Sequence, residues 1–456
     1  MTTHWSPGAL QLLESAQKRS AHYLAGLEHR AVAPSPAAVA ALQRLDGPLP
    51  GEGCAPELTL ALLDELVSPA TAAMAGPRFF GFVIGGTLPA ALAANWLAAA
   101  WDQNAAFFTP TPGVARLEQV ALRWLLELLD LPRESAGGFV TGATVSNFTA
   151  LAAARHAVLA RVGWSVEADG LFGAPPITVI AGAEAHPSLL KALGMLGLGR
   201  SRLVRVPVDD QGRMRAEALP AIAGPTILCL QAGNVNTGAF DPMAQLVPAA
   251  RRQGAWVHVD GAFGLWARVS SQLRALADGI EQADSWATDA HKWLNVPYDS
   301  GVALVRDARA LSAAMAVSAD YLPSGGGERT PCDYTPELSR RARGVEIWAA
   351  LHSLGRRGMA ELVERNCAHA RLFAARLAAA GYPIHNEVVL NQVLVSFGDA
   401  RRTRAVVEAL QREGSCWCGI TVWQGHTAMR ISVSNWSTQD ADVERSIDAM
   451  LRVARG

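Results

Sequence analysis

Between residues 110 and 310 the chain alternates short apolar runs with stretches of helical composition, and this pattern constrains the fold most strongly. Several runs are apolar on both faces, as strands are in a parallel sheet that helices cover on both sides. Alternation of strands and helices over this length predicts a doubly wound α/β domain. The predicted strands are 138–141, 177–181, 203–206, 226–231, 256–259 and 302–305, with helices at 146–162 and 187–196.

The regions on either side of this domain have a different texture. Residues 1–77 predict a helical arm that packs on a partner subunit, with helices at 9–28 and 57–66 and a proline-rich linker at 33–56. Residues 346–456 predict a small C-terminal α+β domain. Its predicted elements are a helix at 346–380 broken at Gly-Arg-Arg-Gly, strands 388–397, 419–422 and 429–433, and a helix at 440–453. Residues 78–345 then make up the large domain.

The composition excludes several classes of protein. Of the 456 residues, 50% are hydrophobic and 18% are charged, so the chain can bury a large core and is not disordered. A formal net charge of −1 gives no electrostatic reason to expect nucleic acid or an anionic membrane as a partner. Six cysteines are too few for a disulfide scaffold in a chain of this size. Cys416 and Cys418 are close in sequence, but no second pair of cysteines completes a zinc site, so we expect no metal.

The location of the protein is predicted from its N-terminus and from one uncharged segment. The N-terminus lacks a basic stretch followed by an apolar core, so we expect no secretory signal. Segment 79–101 is long enough to span a bilayer, but three glycines, a proline and an asparagine interrupt it. We interpret it as a buried strand or loop that runs into a buried helix, and we expect a soluble, cytoplasmic protein.

Lys292 is the first candidate for chemistry. It lies in Ala-His-Lys-Trp at 290–293, and its neighbours are mostly apolar, which indicates a partly enclosed side chain. Enclosure favours the neutral amine, which can form an imine with a carbonyl group. The alternative is an ordinary surface lysine.

Asp260 ends the predicted strand 256–259 and is followed by small residues. In open α/β sheets, ligands bind at the carboxyl ends of the strands. A carboxylate there can hold the N–H of a heteroaromatic ring, or it can simply cap a helix. Its position 32 residues before Lys292, one strand earlier, makes the pair more informative than either residue alone.

Two further features complete a set. Residues 138–147 are rich in small side chains and open a helix, so backbone N–H groups there can approach a phosphate, although tight packing also explains them. The pattern is neither GxGxxG nor a Walker A loop. His186 follows strand 177–181, but most lone histidines are structural or exposed. A lysine, an acid, a phosphate cradle and a histidine at strand ends are what pyridoxal 5′-phosphate (PLP) requires.

At these residues the chain resembles the group II PLP-dependent amino-acid decarboxylases, which include aromatic-L-amino-acid and glutamate decarboxylases. His-Val-Asp-Gly-Ala at 258–262 resembles the HVDAA segment of the family, and 291–293 resembles its HKW. Weaker similarities lie at 23–30, 79–82 and 234–241. The resemblance covers nearly the whole chain. It implies an aspartate-aminotransferase-like fold (fold type I), with a mostly parallel sheet and a small C-terminal domain, in a homodimer.

The resemblance also implies a role for each matching residue. Lys292 matches the lysine that forms the Schiff base, and Asp260 matches the acid paired with the pyridine N–H. His186 matches the histidine stacked on the ring, with Ala262 on the other face. The implied cofactor-binding residues are Lys292, Asp260, Ala262, His186, Ala143, Thr144, His291 and Asn236.

Two matching residues concern the substrate. Tyr321 matches a tyrosine that protonates the α-carbon and completes the implied catalytic set with Lys292, His186 and Asp260. Arg430 resembles an arginine that binds a substrate carboxylate in the glutamate branch. Gly261 and Phe263 replace the more usual alanine and tyrosine, and the glycine-rich segment after Tyr321 is shorter than in the aromatic branch. These departures leave PLP binding intact and leave the substrate open.

The expected activity is PLP-dependent removal of the α-carboxylate of an L-amino acid, giving a primary amine and CO₂. Apolar side chains favour an aromatic or large apolar substrate in a pocket across the dimer interface, unless they are core residues. They are Phe82, Ile84, Phe107 and Phe108, with Phe80, Val83, Trp417 and Trp423. The alternatives are an acidic amino acid, another PLP reaction (aldolase, aminotransferase or decarboxylation-dependent oxidase), or a PLP-fold protein that binds a partner without catalysis.

Overall fold

A computed structural model describes residues 5–317 and 327–456 of the protein. Within these residues the strands form a seven-stranded sheet and a three-stranded sheet. The large sheet contains β1 (Ala136–Val140), β2 (Thr178–Gly182), β3 (Val204–Val206), β4 (Thr226–Gln231), β5 (Trp256–Asp260), β6 (Ser285–Asp289) and β7 (Gly301–Val305). The small sheet contains β8 (Gln392–Val395), β9 (Gly419–Trp423) and β10 (His426–Ser432).

The large sheet has the strand order β1-β7-β6-β5-β4-β2-β3. Strands β6, β5, β4, β2 and β3 are parallel neighbours, whereas β7 is antiparallel to both β1 and β6. The α/β class with a mostly parallel sheet is therefore confirmed. Because β4, β5 and β6 run in the same direction, the residues that follow them meet at one edge of the sheet.

Helices surround this sheet and fill both ends of the chain. Their bounds are α1 (Pro7–Gly26), α2 (Pro36–Ala41), α3 (Pro56–Leu62), α4 (Ser68–Ala70), α5 (Pro89–Trp101), α6 (Pro112–Leu128), α7 (Ala143–Ala160), α8 (Val166–Asp169), α9 (Pro187–Met195), α10 (Met243–Arg252), α11 (Ala308–Met315), α12 (Gly344–Ala379), α13 (Ala400–Glu413) and α14 (Asp440–Arg455). A π-helical turn joins α3 to α4.

Two hydrophobic clusters cover the two faces of the large sheet. Successive residues of a strand point to opposite faces, and β4 shows this directly. Leu228 and Leu230 join one cluster, while Ile227 and Cys229 join the other, which α7, α9 and α11 cover. All residues of β5, β6 and β7 are buried. Burial on both faces explains why these strands are apolar throughout and why their polar residues stand at their ends.

The small sheet packs with α12, α13 and α14 and has the order β8-β10-β9. The predicted break in the long helix is confirmed, since α12 is non-helical at Gly355. Segment 78–80 hydrogen-bonds alongside this sheet without forming a fourth strand: the Phe80 N–H donates to the Trp417 carbonyl at 2.8 Å, and the Ser432 N–H donates to the Phe80 carbonyl at 3.0 Å. The three-domain division stays a prediction.

Two local expectations were wrong. The proline-rich stretch 33–56 contains α2 and a 3₁₀ turn at Leu42–Leu45, because proline at the first position of a helix is compatible with helical geometry. Segment 79–101 does end in a helix, α5, but only Ala91 and Ala98 of that helix are buried in the single chain. Among the described residues, no helix is long and apolar enough to cross a membrane.

Candidate active site

The candidate site lies where β5 and β6 end and α7 begins. Asp260 is the last residue of β5, and Asp289 is the last residue of β6. Lys292 follows in a turn between β6 and β7. Gly142 opens α7 and packs against Gly301, where a Cβ atom would lie 2.5 Å from the Gly142 Cα atom. The parallel strands therefore bring the acid and the lysine to the N-terminus of one helix.

Asp260 is 5% exposed and has a hydrogen-bond donor at each carboxylate oxygen. The Asn147 side-chain amide donates to Oδ2 at 3.0 Å, and the Ala262 N–H donates to Oδ1 at 3.2 Å. The bond from the Ala262 N–H lies within a local turn, and it is the contact expected if Asp260 were only a capping residue. The bond from Asn147 comes from another element and does not follow from capping.

Lys292 is largely enclosed, with a side chain that is 16% exposed. Its Nζ atom lies 3.5 Å from Asp289 Oδ2 and 5.6 Å from the centre of the Phe263 ring. The backbone around it is also fixed, because a Cβ atom at Gly85 would lie 1.9 Å from the Lys292 carbonyl oxygen. An enclosed amine on a fixed backbone suits a covalent link to a cofactor better than a solvated surface lysine would.

His186 begins α9 at the same edge of the sheet. Its Nδ1 atom accepts a hydrogen bond from the Ser188 N–H at 3.2 Å and lies 2.7 Å from Ser188 Oγ. This capping role is structural, and it leaves Nε2 as the protonated nitrogen. Burial lowers the pKa of His186, while the negative charge of Asp260 acts in the opposite direction. The bond from Ser188 therefore fixes the tautomer of the neutral ring.

The start of α7 forms a cradle opposite His291 and Asp289. The first N–H groups of a helix have no partner within it, and those of Ala143 and Thr144 are among them. A Cβ atom placed on Gly142 would lie 3.5 Å from Asp289 Oδ1 and 3.6 Å from His291 Cε1, so a side chain there would narrow the cradle. The His291 ring is held by the Ser300 carbonyl at 3.1 Å from Nδ1.

The residues present fit PLP. Among the described residues, Ser300 Oγ is a buried polar atom without a hydrogen-bond partner near the cradle, and its hydroxyl can donate to a phosphate. Burial raises the pKa of the Asp289 carboxyl, against the attraction of Lys292 and His291. Donors at a helix N-terminus suit a phosphate, and an ionised carboxylate suits a pyridine N–H.

Arg430 and Asn236 meet on the side of the small sheet. Arg430 Nη1 donates to Asn236 Oδ1 at 3.4 Å, and Thr421 Oγ1 donates to the same oxygen at 2.8 Å. The positive charge of Arg430 reaches His186 and contributes to its lowered pKa. These contacts place Asn236 beside Arg430, and its assignment to cofactor binding stays a prediction.

The apolar candidates divide into surface and core residues. Phe82 is 54% exposed and stacks on Trp417, with ring centres 5.7 Å apart. Ile84, Phe107 and Phe108 are half-buried. The expectation that Phe80, Val83 and Trp423 line a pocket was wrong, because all three are buried in hydrophobic clusters. Tyr321 lies outside the described residues.

Sequence reasoning missed three residues of the site. Asn147 was noted only as the end of a small-residue motif, yet it contacts Asp260. Asp289 and Ser188 were not singled out, although they contact Lys292 and His186. Strand β6 itself was not predicted, so the position of Asp289 at a strand end became apparent only in the structure. No pattern in the sequence predicts a contact between Asn147 and Asp260, because the two residues are 113 positions apart.

Comparison with known proteins gives a consistent result. Residues 60–397 match the family described as the pyridoxal-dependent decarboxylase conserved domain. Tryptophan decarboxylase 1 of Oryza sativa subsp. japonica is 28% identical over 417 residues, covering 83% of this chain and 80% of that protein. L-2,4-diaminobutyrate decarboxylase of Rhizobium meliloti (strain 1021) is 31% identical over 388 residues, covering 80% and 75%.

A third relative and a solved structure extend the comparison. The acidic amino acid decarboxylase GADL1 of Bos taurus is 29% identical over 308 residues, covering 65% of this chain and 58% of that protein. The crystal structure of Oryza sativa TDC with PLP and tryptamine superposes with a TM-score of 0.91 at 22% identity, covering 100% of this chain and 99% of that one. The fold agrees closely, while the relatives differ in the amino acid that they are named for.

Proposed function

Because this chain belongs to the family of pyridoxal-dependent decarboxylases, we propose that it decarboxylates an L-amino acid with an aromatic or large apolar side chain. The protein is a PLP-dependent carboxy-lyase. The observation that supports the chemistry best is the enclosed Lys292 amine in the turn after β6, at the same sheet edge as the buried Asp260 at the end of β5. The substrate class rests on a different part of the site.

When bound, PLP supplies a protonated ring that accepts the electron pair left behind as CO₂ departs. The Lys292 amine would hold the cofactor. Asp260 would stabilise the proton on the ring nitrogen, since a carboxylate stabilises a nearby cation. His186 and Ala262 would contact the ring, and the N-terminus of α7 with His291 would bind the phosphate.

The aromatic stack of Phe79, Trp417 and Phe82 supports an aromatic substrate. Phe79 and Trp417 lie with ring centres 5.0 Å apart and an angle of 9° between their planes, and Phe82 covers the same indole. A Cβ atom on Gly419 would touch the Trp417 ring at 3.8 Å, and Gly419 pairs with Arg430 in the small sheet. An apolar ring wall therefore lies next to the strand that carries the candidate carboxylate ligand.

A panel of amino acids tests the substrate class. Tryptophan, tyrosine and phenylalanine should give the highest kcat/KM, with equal amounts of CO₂ and amine. Glutamate, aspartate and 2,4-diaminobutyrate serve as the contrasting group, since the relatives include proteins named for such substrates. Preference for a member of that group would overturn the aromatic assignment while leaving the decarboxylase activity in place.

An acidic substrate is the second candidate, and Arg430 is compatible with it. Among residues 5–317 and 327–456, no carboxylate lies within 4.0 Å of its guanidinium group. A half-buried cation without an anionic partner is well suited to a substrate carboxylate. The same arginine also suits the α-carboxylate that every amino acid carries, so Arg430 alone does not decide between the two classes.

We expect Arg430→Ala to raise KM about 30-fold or more with a smaller change in kcat, because a charge-assisted pair with a substrate carboxylate is lost. Steady-state kinetics on the best substrate of the panel measures this. Arg402→Ala is the matched control, since Arg402 lies on α13 and donates to a carbonyl of the last helix. An unchanged KM combined with a lower Tm would make Arg430 a structural residue.

We expect Tyr321→Phe to lower amine formation roughly 10²-fold, because the variant keeps the ring but removes the hydroxyl that would protonate the α-carbon. Release of CO₂ should continue, since it precedes protonation, with dissolved oxygen diverting the product to an aldehyde. Measuring amine, aldehyde and CO₂ in one sample separates these outcomes. Equal amounts of amine and CO₂ at the wild-type rate would exclude Tyr321 as the donor and leave Tyr334 or Lys292 as the candidate.

The homodimer is also a proposal. Helices α1 and α5 expose large apolar side chains, including Leu10, Leu13, Trp96, Leu97 and Trp101, each at least 40% exposed in the single chain. Exposed apolar area on this scale is typical of an interface. Sedimentation equilibrium should give twice the chain mass. The cytoplasmic location stays a prediction of the sequence.

A further inference from the structure

A chain of buried hydrogen bonds runs from the interior of the large sheet to Asp260. Asn147 Nδ2 donates to Asp260 Oδ2 at 3.0 Å, and Asn147 Oδ1 lies 2.8 Å from His258 Nε2. His258 Nδ1 lies 2.9 Å from Ser285 Oγ, which accepts from Trp256 Nε1 at 2.9 Å. All five residues are buried, with at most 5% of each exposed. We name these residues the Asp260 relay.

Only one arrangement of protons satisfies the relay when Asp260 is ionised. A carboxylate accepts hydrogen bonds, so the amide nitrogen of Asn147 faces it and the amide oxygen faces His258. His258 must then carry its proton on Nε2, and its Nδ1 accepts from the Ser285 hydroxyl. Trp256 donates to Ser285, so every donor in the series points towards Asp260.

The state of His258 agrees with this arrangement. Burial lowers the pKa of His258 to about 4, with the charge of Asp260 opposing the shift. A neutral imidazole has one donor and one acceptor, which is what the relay needs. Successive hydrogen bonds that point the same way polarise one another, so the last donor in the series is strengthened.

Asn147 also reaches the second residue that would flank the cofactor ring. Its amide nitrogen lies 3.5 Å from Ser188 Oγ, which lies 2.7 Å from His186 Nδ1. The first of these contacts is long and the second is short, so this branch is the weaker of the two. Among the described residues, Asn147 is nevertheless the only side chain that hydrogen-bonds both to Asp260 and to Ser188, the residue that contacts His186.

We infer that Asn147 is a positioning residue, which holds the Asp260 carboxylate aimed at the ring nitrogen of PLP through the orientation that the relay imposes on its amide. This inference rests on the proposed role of Asp260. Without Asn147, Asp260 would keep only the Ala262 N–H as donor, and its carboxylate would be free to turn away from the ring nitrogen. A carboxylate that has turned away stabilises the protonated ring nitrogen less.

The test compares four variants of the PLP-bound enzyme. Asn147→Leu removes the amide at similar volume, and Ser285→Ala removes the donor to His258 but leaves Asn147 in place. Thr149→Val is the control, because Thr149 is buried two residues further along α7 and its hydroxyl bonds only to the Val145 carbonyl. Asp260→Asn is the reference for a site without a carboxylate.

Two measurements do not depend on turnover: the dissociation constant of PLP, and the ¹⁵N chemical shift of ring-labelled PLP against pH. We expect Asn147→Leu to weaken PLP binding about 10- to 100-fold, the range for losing a hydrogen bond to a charged group, and to shift deprotonation of the ring nitrogen to lower pH. Ser285→Ala should act in the same direction but only about 3- to 10-fold. Thr149→Val should lower Tm and change neither measurement.

The outcomes distinguish a failure of the role inferred for Asn147 from a failure of the role proposed for Asp260. Wild-type values in both Asn147→Leu and Ser285→Ala, with a change in Asp260→Asn, would overturn the role of Asn147 alone. Wild-type values in Asp260→Asn as well would overturn the assignment of Asp260 and, with it, that of Asn147. If Asn147→Leu does not fold, Ser285→Ala decides the question by the same readouts.

Discussion

Lys292→Ala should abolish turnover and remove the absorbance band at about 420 nm that PLP shows when bound to a lysine. The physical reason is that the alanine side chain has no amine, and no other amine is enclosed at this edge of the sheet. The chain contains only two further lysines, Lys18 and Lys191. Both residues are exposed: Lys18 lies on α1 and Lys191 lies on α9.

The small number of lysines makes a direct measurement possible. Borohydride reduction should fix the cofactor on one lysine, and peptide mass mapping should find it on Lys292. Lys191→Ala is the matched control and should keep the wild-type spectrum and rate, since its side chain is exposed. A Lys292→Ala variant with the wild-type spectrum would refute the assignment.

Asp260→Ala should retain part of the bound PLP and lower kcat about 10²-fold or more. A buried carboxylate that faces developing charge stabilises the transition state by about 3 kcal/mol or more, and each 1.36 kcal/mol corresponds to a factor of ten in rate. The loss should appear in kcat more than in KM, because the substrate itself does not contact Asp260. A loss of less than about fivefold would mean that Asp260 only caps the turn at Ala262.

Asp284→Ala is the control for this prediction. Asp284 is also a buried acid, but it lies at the other end of β6, where it accepts from the Val257 N–H at 2.8 Å and pairs with Arg251 at 3.3 Å. Its removal should lower the free energy of unfolding by about 1–3 kcal/mol, because the Val257 N–H would stay buried without a partner. The rate of the folded enzyme should not change.

The fold was predictable from the sequence because its strands are short, apolar and separated by helices. The bounds of β4 agree residue for residue with the predicted strand 226–231. Strand β6 was not predicted, since its sequence Ser-Trp-Ala-Thr-Asp mixes polar and apolar residues. It is buried throughout because its polar side chains find partners, such as Ser285 with His258. A partner of this kind cannot be read from local composition.

The site was predictable in part for the same reason. Lys292 and Asp260 stand in short motifs at strand ends, so their neighbourhood follows from topology. The sequence did not separate buried aromatic residues from exposed ones, because a phenylalanine or tryptophan is equally suited to a core and to a pocket. Phe80 packs edge-on against Phe373, 5.1 Å away, whereas Phe82 two residues later is exposed. Only the packing of distant segments separates the two cases.

The pairing of segment 78–80 with the small sheet has a consequence for biosynthesis. Arg78 bonds to the Ser415 carbonyl across 337 residues of sequence. At about 5–20 residues per second, a ribosome needs roughly 20–70 s to make the partner strands after Phe79 and Phe80. During that time two aromatic side chains and a strand edge lack their native neighbours, and such surfaces aggregate. We therefore expect this segment of the nascent chain to be prone to aggregation until residues 415–432 emerge, and a truncation before residue 415 to leave it without these partners permanently.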